Sequence, residues 1–145
     1  MFEYLKGRSG RKEFWASIGL LLLVGIGLAL LHVDGASAAT TFLWIIVWSR
    51  RLHDIGKPGW YTLAPIGVMV LVVVAAFLFG GEALMDAMRY SEAGEGPVSD
   101  RGAYLFLGLV FVLLAIQAGF TIWLGMKAGD AVGNSFGPPP EKSTF

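Results

Sequence analysis

ASAATTFLWIIVWSRRLHDIGKPGW, residues 36–60, is the stretch on which the reading of this chain turns. Its first part, Ala36 to Ser49, carries no charge, and Arg50, Arg51, His53, Asp54 and Lys57 follow directly. About 14 helical residues at 1.5 Å each reach roughly 21 Å, short of a hydrocarbon core of roughly 30 Å. Local thinning, or Arg50 and Arg51 snorkelling back to the interface, closes that gap. A re-entrant segment is the alternative. A full crossing is preferred, because the distribution of charge beyond this stretch requires one.

Three longer apolar stretches surround it. Phe14 to about Val33, Tyr61 to Gly81 and Ala103 to Met126 hold no Asp, Glu, Lys or Arg, and each is long enough to cross a bilayer as a helix. Hydrophobic residues make up 55% of the chain and mean hydropathy is +0.64, while charged residues are 15%. That charged share is far below the roughly 25% of soluble domains, which favours an integral membrane bundle. The expected architecture is all-α, a single membrane domain of four helices over residues 1–145, with spans near 14–33, 36–52, 61–81 and 103–126.

The basic residues set the orientation. Lys6, Arg8, Arg11 and Lys12 precede the first span, Arg50, Arg51 and Lys57 separate the second from the third, and Lys127 and Lys142 follow the fourth. Only Arg89 and Arg101 lie on the other side, in a loop at 82–102 that also holds Glu82, Asp86, Glu92, Glu95 and Asp100. The positive-inside rule then puts both termini, the Arg50 loop and the 127–145 tail in the cytoplasm, and the acidic loop outside. A basic start, an apolar stretch and Ala36-Ser37-Ala38 also resemble a cleavable signal peptide. The apolar stretch, at about 18 residues, exceeds the 7–15 of an h-region, so retention is expected.

Local signals refine the elements. Ser9 is a candidate N-cap for the first helix, with Glu13 near its first turn. The second helix should run to about Asp54 and stop at Gly56, with Pro58 and Gly59 at the centre of a type II turn. Trp15, Trp60 and Tyr61 are interfacial anchors, and Pro65 falls in the first turn of the next helix. Glu82–Tyr90 reads as a short surface helix. Gly119 with Ala115 is a candidate for close helix packing, and Gln117 with Thr121 for interhelical hydrogen bonds.

Chemistry is scarce at depth. No ionisable side chain occupies a mid-span position, which argues against a proton-coupled carrier. There is no Cys, and His32 and His53 are too few and too far apart for a metal site, so no metal or cofactor is expected. Polar residues gather instead in three blocks: Gly7–Trp15, Arg50–Trp60 and Gly133–Pro138. Helices packed about 10 Å apart can bring such blocks together. Arg8 and Arg11 are spaced to act jointly, and neighbouring Arg50 and Arg51 must point to different sides. Their simplest role is topology and anchoring to lipid phosphates; a sharper one is an anion site of planar guanidinium forks. Catalysis by His53 with Asp54 is weakened because adjacent helical residues do not face each other.

Taken together, Gly7-Arg8, Arg11 and Glu13-Phe14-Trp15, then Arg50-Arg51-Leu52-His53-Asp54, Gly56 and Gly59-Trp60, then Gly133-Asn134, Phe136-Gly137 and Pro138, resemble the motif blocks of a bacterial family, domain of unknown function 805. The resemblance extends over nearly the whole chain. It implies a small multi-span inner-membrane protein with all three blocks facing the cytoplasm, and it implies no reaction. Tyr61 stands where many relatives have a second Trp, and Pro138–Pro140 where an acidic residue is common.

The expected function is non-enzymatic: an Arg-rich cytoplasmic rim that binds anionic lipid headgroups or a partner protein, with no nucleic acid involved. Arg8, Arg11, Arg50 and Arg51 would grip the anion, Glu13 and Asp54 would hold them, and His53 and Asn134 would complete the site. Gly56, Pro58 and Gly59 would shape the turn. A subunit of an oligomeric channel or transport assembly is the rival reading, and an enzyme acting on lipid headgroups is third.

Overall fold

A computed structural model describes residues 7–33, 35–94 and 99–140. Among them the chain is helical: α1 (Arg11–Leu30), α2 (Ala36–Asp54), a 3₁₀ turn (Gly59–Thr62), α3 (Leu63–Ala93) and α4 (Asp100–Met126). No strand is formed among the described residues; an isolated bridge joins Asn134 and Gly137. Three helical stretches, Arg11–Leu30, Gly59–Ser91 and Asp100–Met126, are long and apolar enough to cross a membrane. Residues 36–54 are not among them, although their 19 residues form one continuous helix. The helices sort into two compact units, Met1–Thr62 with Thr121–Phe145, and Leu63–Phe120.

In the first unit α1, beyond its charged first turn, is apolar on more than one face. Phe14, Ile18 and Leu21, at helical spacing on one face, are buried, whereas Leu22, Leu23, Ile26 and Leu30 are exposed, Leu23 to 71%. A helix that is apolar on faces it does not bury suits a lipid solvent. Trp48 and Leu52, four apart on α2, and Leu124 of α4 complete this small core. Trp48 Nε1 donates to Thr121 Oγ1 at 3.1 Å, a buried bond that joins α2 to the end of α4.

The end of α2 is a Schellman motif. Lys57 N–H reaches Leu52 O at 2.9 Å and Gly56 N–H reaches His53 O at 3.2 Å, with Gly56 at φ 70°. The helix therefore stops where a left-handed glycine permits the reversal, as expected for Asp54 and Gly56. The expected type II turn at Pro58 and Gly59 does not form. Gly59 opens the 3₁₀ turn instead, with Tyr61 N–H on Pro58 O at 3.2 Å, and the positive φ sits three residues earlier. Gly59 is required for closeness: a Cβ there would stand 3.0 Å from Ser49 Oγ.

Ser9 is not the N-cap of α1. Gly10 occupies that position without a side-chain cap, and Ser9 is buried with its backbone bonded to α2. Gly119 does not serve close packing either, since nothing among the described residues lies within 4 Å of a Cβ built on it. Gly125 does, because a Cβ there would enter the Trp15 indole.

In the second unit α3 breaks at Gly81, whose φ 52° and ψ −138° separate an apolar segment from a polar one that includes Glu82–Tyr90. Pro65 lies in the first turn of α3, where a missing N–H costs little. Ser99 caps α4, its Oγ accepting from Gly102 N–H at 3.1 Å. Gly102 is pressed against the Ala83 carbonyl, and Leu84 is fully buried beside Gly80.

Candidate functional site

The three polar blocks meet at one end of the first unit, and Asp54 is at their centre. It is 3% exposed, with Arg8 on one carboxylate oxygen and Arg51 on the other. Arg51 and Asp54 share a face of α2 at i and i+3. Arg8 arrives from the extended segment before α1, its Nε 3.1 Å from Asp54 Oδ1.

All five N–H groups of the Arg8 guanidinium meet protein oxygens. Besides Asp54 Oδ1 these are the carbonyls of Val132 at 2.9 Å, Gly137 at 3.3 Å, Asp54 at 3.4 Å and Asp130. Arg51, with no exposed surface, donates from Nε to Leu124 O at 3.1 Å, from Nη1 to Ser9 O at 3.1 Å and to Asp54, and from Nη2 to Lys127 O. Leu124 and Lys127 lie at the C-terminus of α4, where carbonyls lack intrahelical donors and a cation is favoured by the helix dipole. The Phe14 ring lies under Arg51, its centroid 5.9 Å from Cζ.

These bonds answer a backbone problem. The last carbonyls of α2 are buried: that of Asp54 accepts from Asp130 N–H at 2.8 Å as well as from Arg8, and that of His53 accepts from Asn134 Nδ2 at 3.0 Å. Asn134 also bonds Asp130 Oδ2 at 2.8 Å and, through its own Oδ1, accepts from Phe136 N–H at 2.9 Å. Phe136 then stacks on the His53 ring, 4.3 Å between centroids and 6° from parallel. His53 and Asp54 thus diverge, one toward Phe136 and the other between two arginines, and they do not form an acid–base dyad.

Arg50 takes the other side of α2, as its adjacency to Arg51 required. It is 2.8 Å from Glu13, whose side chain is 45% exposed, and Ser9 N–H bonds its carbonyl at 3.2 Å. Arg8 and Arg11, spaced as if on one helix, part company, because α1 begins only at Arg11: Arg8 is buried and Arg11 exposed. Trp15, Trp60 and Tyr61 are exposed, and Lys57 Nζ lies 5.2 Å from the Tyr61 ring centroid. Pro58 and Gly59 lie between Lys57 and Trp60 in the turn that places them.

Two further residues shape the site. Asp130 is bonded to α2 through its amide and to Asn134 through its carboxylate. Gly129 permits Asp54 its position, since a Cβ would fall inside the Asp54 carboxylate. The Gly125–Gly129 spacing was a visible signal, although it accommodates side chains of other segments and not a facing helix backbone. Beside the ion network lies an open groove of about 900 Å³, to which Arg11, Lys12, Glu13, Asp54, Asp130 and Pro140 contribute. No cluster of three or more His, Asp or Glu able to hold a metal occurs among the described residues.

No curated protein and no solved structure matches the chain. A family model does match, over residues 2–92, which include the first two polar blocks and end before the third. The third block is nevertheless bound to both of the others through Arg8 and Asn134. On that match, covering more than half its length, the chain belongs to the family described as protein of unknown function (DUF805).

Proposed function

We propose that this is a non-enzymatic protein of the bacterial inner membrane, a four-span bundle with both termini in the cytoplasm, whose charged end binds anionic lipid headgroups. The observation that carries the reading is the division of labour among the cations. Arg8 and Arg51 are committed to protein oxygens and close the three blocks together. Arg11 and Lys127 are exposed, Lys127 lies 5.7 Å from the Trp123 ring centroid, and half-buried Lys57 lies 5.2 Å from that of Tyr61. Cations beside amphipathic aromatics suit the headgroup layer, where each Lys or Arg near an anionic surface contributes about 1 kcal/mol. Nine of the eleven basic residues lie, in the sequence, on the same side of the apolar stretches, which supports a cytoplasmic placement.

The test is native mass spectrometry of the full chain equilibrated with phosphatidylglycerol. Retention that falls several-fold in Lys57→Ala/Lys127→Ala and at high salt supports the reading. Retention indifferent to both changes overturns it.

A further inference from the structure

We propose that the groove beside the ion network binds a phosphodiester bearing a primary ammonium, as found in a phosphatidylethanolamine headgroup or its free glycerol ester. The inference rests on the reading of the charged end as a headgroup-level surface, and gives one part of that surface a defined ligand chemistry. At about 900 Å³ the groove is within the roughly 300–1,000 Å³ usual for small-molecule sites.

Its charges select the ligand. Glu13 is paired with Arg50, and Asp54 lies between Arg8 and Arg51, so neither carboxylate needs a further cation. What the groove offers a ligand is therefore Arg11 as cation and Asp130 as carboxylate. A simple anion would meet Asp130, and a simple amine would meet Arg11. A molecule carrying both charges satisfies both.

Asp130 is held for such a task. Its amide donates to Asp54 O at 2.8 Å, and Asn134 Nδ2 donates to Oδ2 at 2.8 Å. Gly56 leaves it room, since a Cβ there would stand 2.8 Å from that same oxygen. The second oxygen, Oδ1, accepts no hydrogen bond among the described residues. An ammonium with N–H groups can donate to it, and a trimethylammonium cannot. The site should therefore separate ethanolamine from choline headgroups that share the same phosphate and the same net charge.

The experiment equilibrates the full chain with equimolar phosphatidylethanolamine, phosphatidylcholine and phosphatidylglycerol, and reads the retained lipids by native mass spectrometry. The expected result is about a tenfold excess of phosphatidylethanolamine over phosphatidylcholine, the discrimination of one charge-assisted hydrogen bond. Asp130→Asn should bring that ratio to within about twofold without lowering phosphatidylglycerol retention. Equal retention of the two zwitterionic lipids by the unaltered chain overturns the proposal, as does a preference that survives Asp130→Asn.

Soluble competitors decide the matter without any variant. Glycerophosphoethanolamine should displace phosphatidylethanolamine where glycerophosphocholine does not. Binding of the soluble ester in lipid-free micelles assigns a free ligand, and binding of the lipid alone assigns a headgroup; binding of neither overturns the proposal. Loss of the ethanolamine preference with charge-dependent phosphatidylglycerol retention intact refutes the groove alone. The converse refutes the broader reading of the rim.

Discussion

Replacing Asp54 by Asn removes the carboxylate that lies between two buried guanidinium groups while keeping the side chain's shape. Asp54 is 3% exposed, and Arg8 and Arg51 are 6% and 0% exposed, so water cannot take over the missing charge. Breaking a buried pair by deleting one partner costs about 3–5 kcal/mol. That is a large part of the roughly 5–15 kcal/mol by which folded domains are stable. The assay is equilibrium unfolding of the purified chain in mixed micelles, followed by Trp fluorescence. Asp86→Asn provides the control: its side chain is 47% exposed and 3.9 Å from Arg89, an arrangement that should move stability by less than about 0.5 kcal/mol. A cycle through Arg8→Ala and Asp54→Ala should show coupling of about 1–3 kcal/mol, because each change removes part of the same network. An Asp54→Asn variant within 1 kcal/mol of the parent, by the standard of the ~3 kcal/mol lower bound, would refute the reasoning. Strict additivity in the cycle would do so as well.

Two further outcomes follow from the same geometry. Arg51→Ala should destabilise the chain by about 3 kcal/mol or more, and Arg50→Ala by about 1 kcal/mol or less, since the first guanidinium is fully buried and the second pairs with a half-exposed Glu13; equal melting shifts would contradict this. Gly56→Ala should cost more than about 1 kcal/mol, because φ 70° disfavours a side chain, and Gly129→Ala about 1–3 kcal/mol through overlap with Asp54. Unchanged unfolding midpoints in both would show that the C-terminus of α2 is not held as described.

The features legible in the sequence were those set by local chemistry. The end of α2 at Asp54 follows from Gly56, and the start of α3 tolerates Pro65 for reasons internal to one turn. The adjacency of Arg50 and Arg51 predicted that they would diverge, and they do. Long-range packing was not legible. Ser9 has the composition of a cap, yet the pull of α2 on its backbone carries it past that position and leaves Gly10 at the helix start. Arg8 and Arg11 have helical spacing, but the helix begins too late to use it. Asp130 carries no motif, and the Gly125–Gly129 spacing does not point to Asp54, because both roles depend on a segment from the far end of the chain folding back over α2.

Cysteine accessibility tests the central claim, that the three polar blocks share the cytoplasmic face of a four-span protein. The chain has no native cysteine, so each reporter is unambiguous. Arg11→Cys, Lys57→Cys and Ser135→Cys sample the three-block end, and His32→Cys and Ser91→Cys sample the opposite one. In intact cells a membrane-impermeant thiol reagent should label only the His32→Cys and Ser91→Cys variants, with the other three reacting after permeabilisation. Labelling of Lys57→Cys or Ser135→Cys in intact cells, or protection of His32→Cys, would contradict the account.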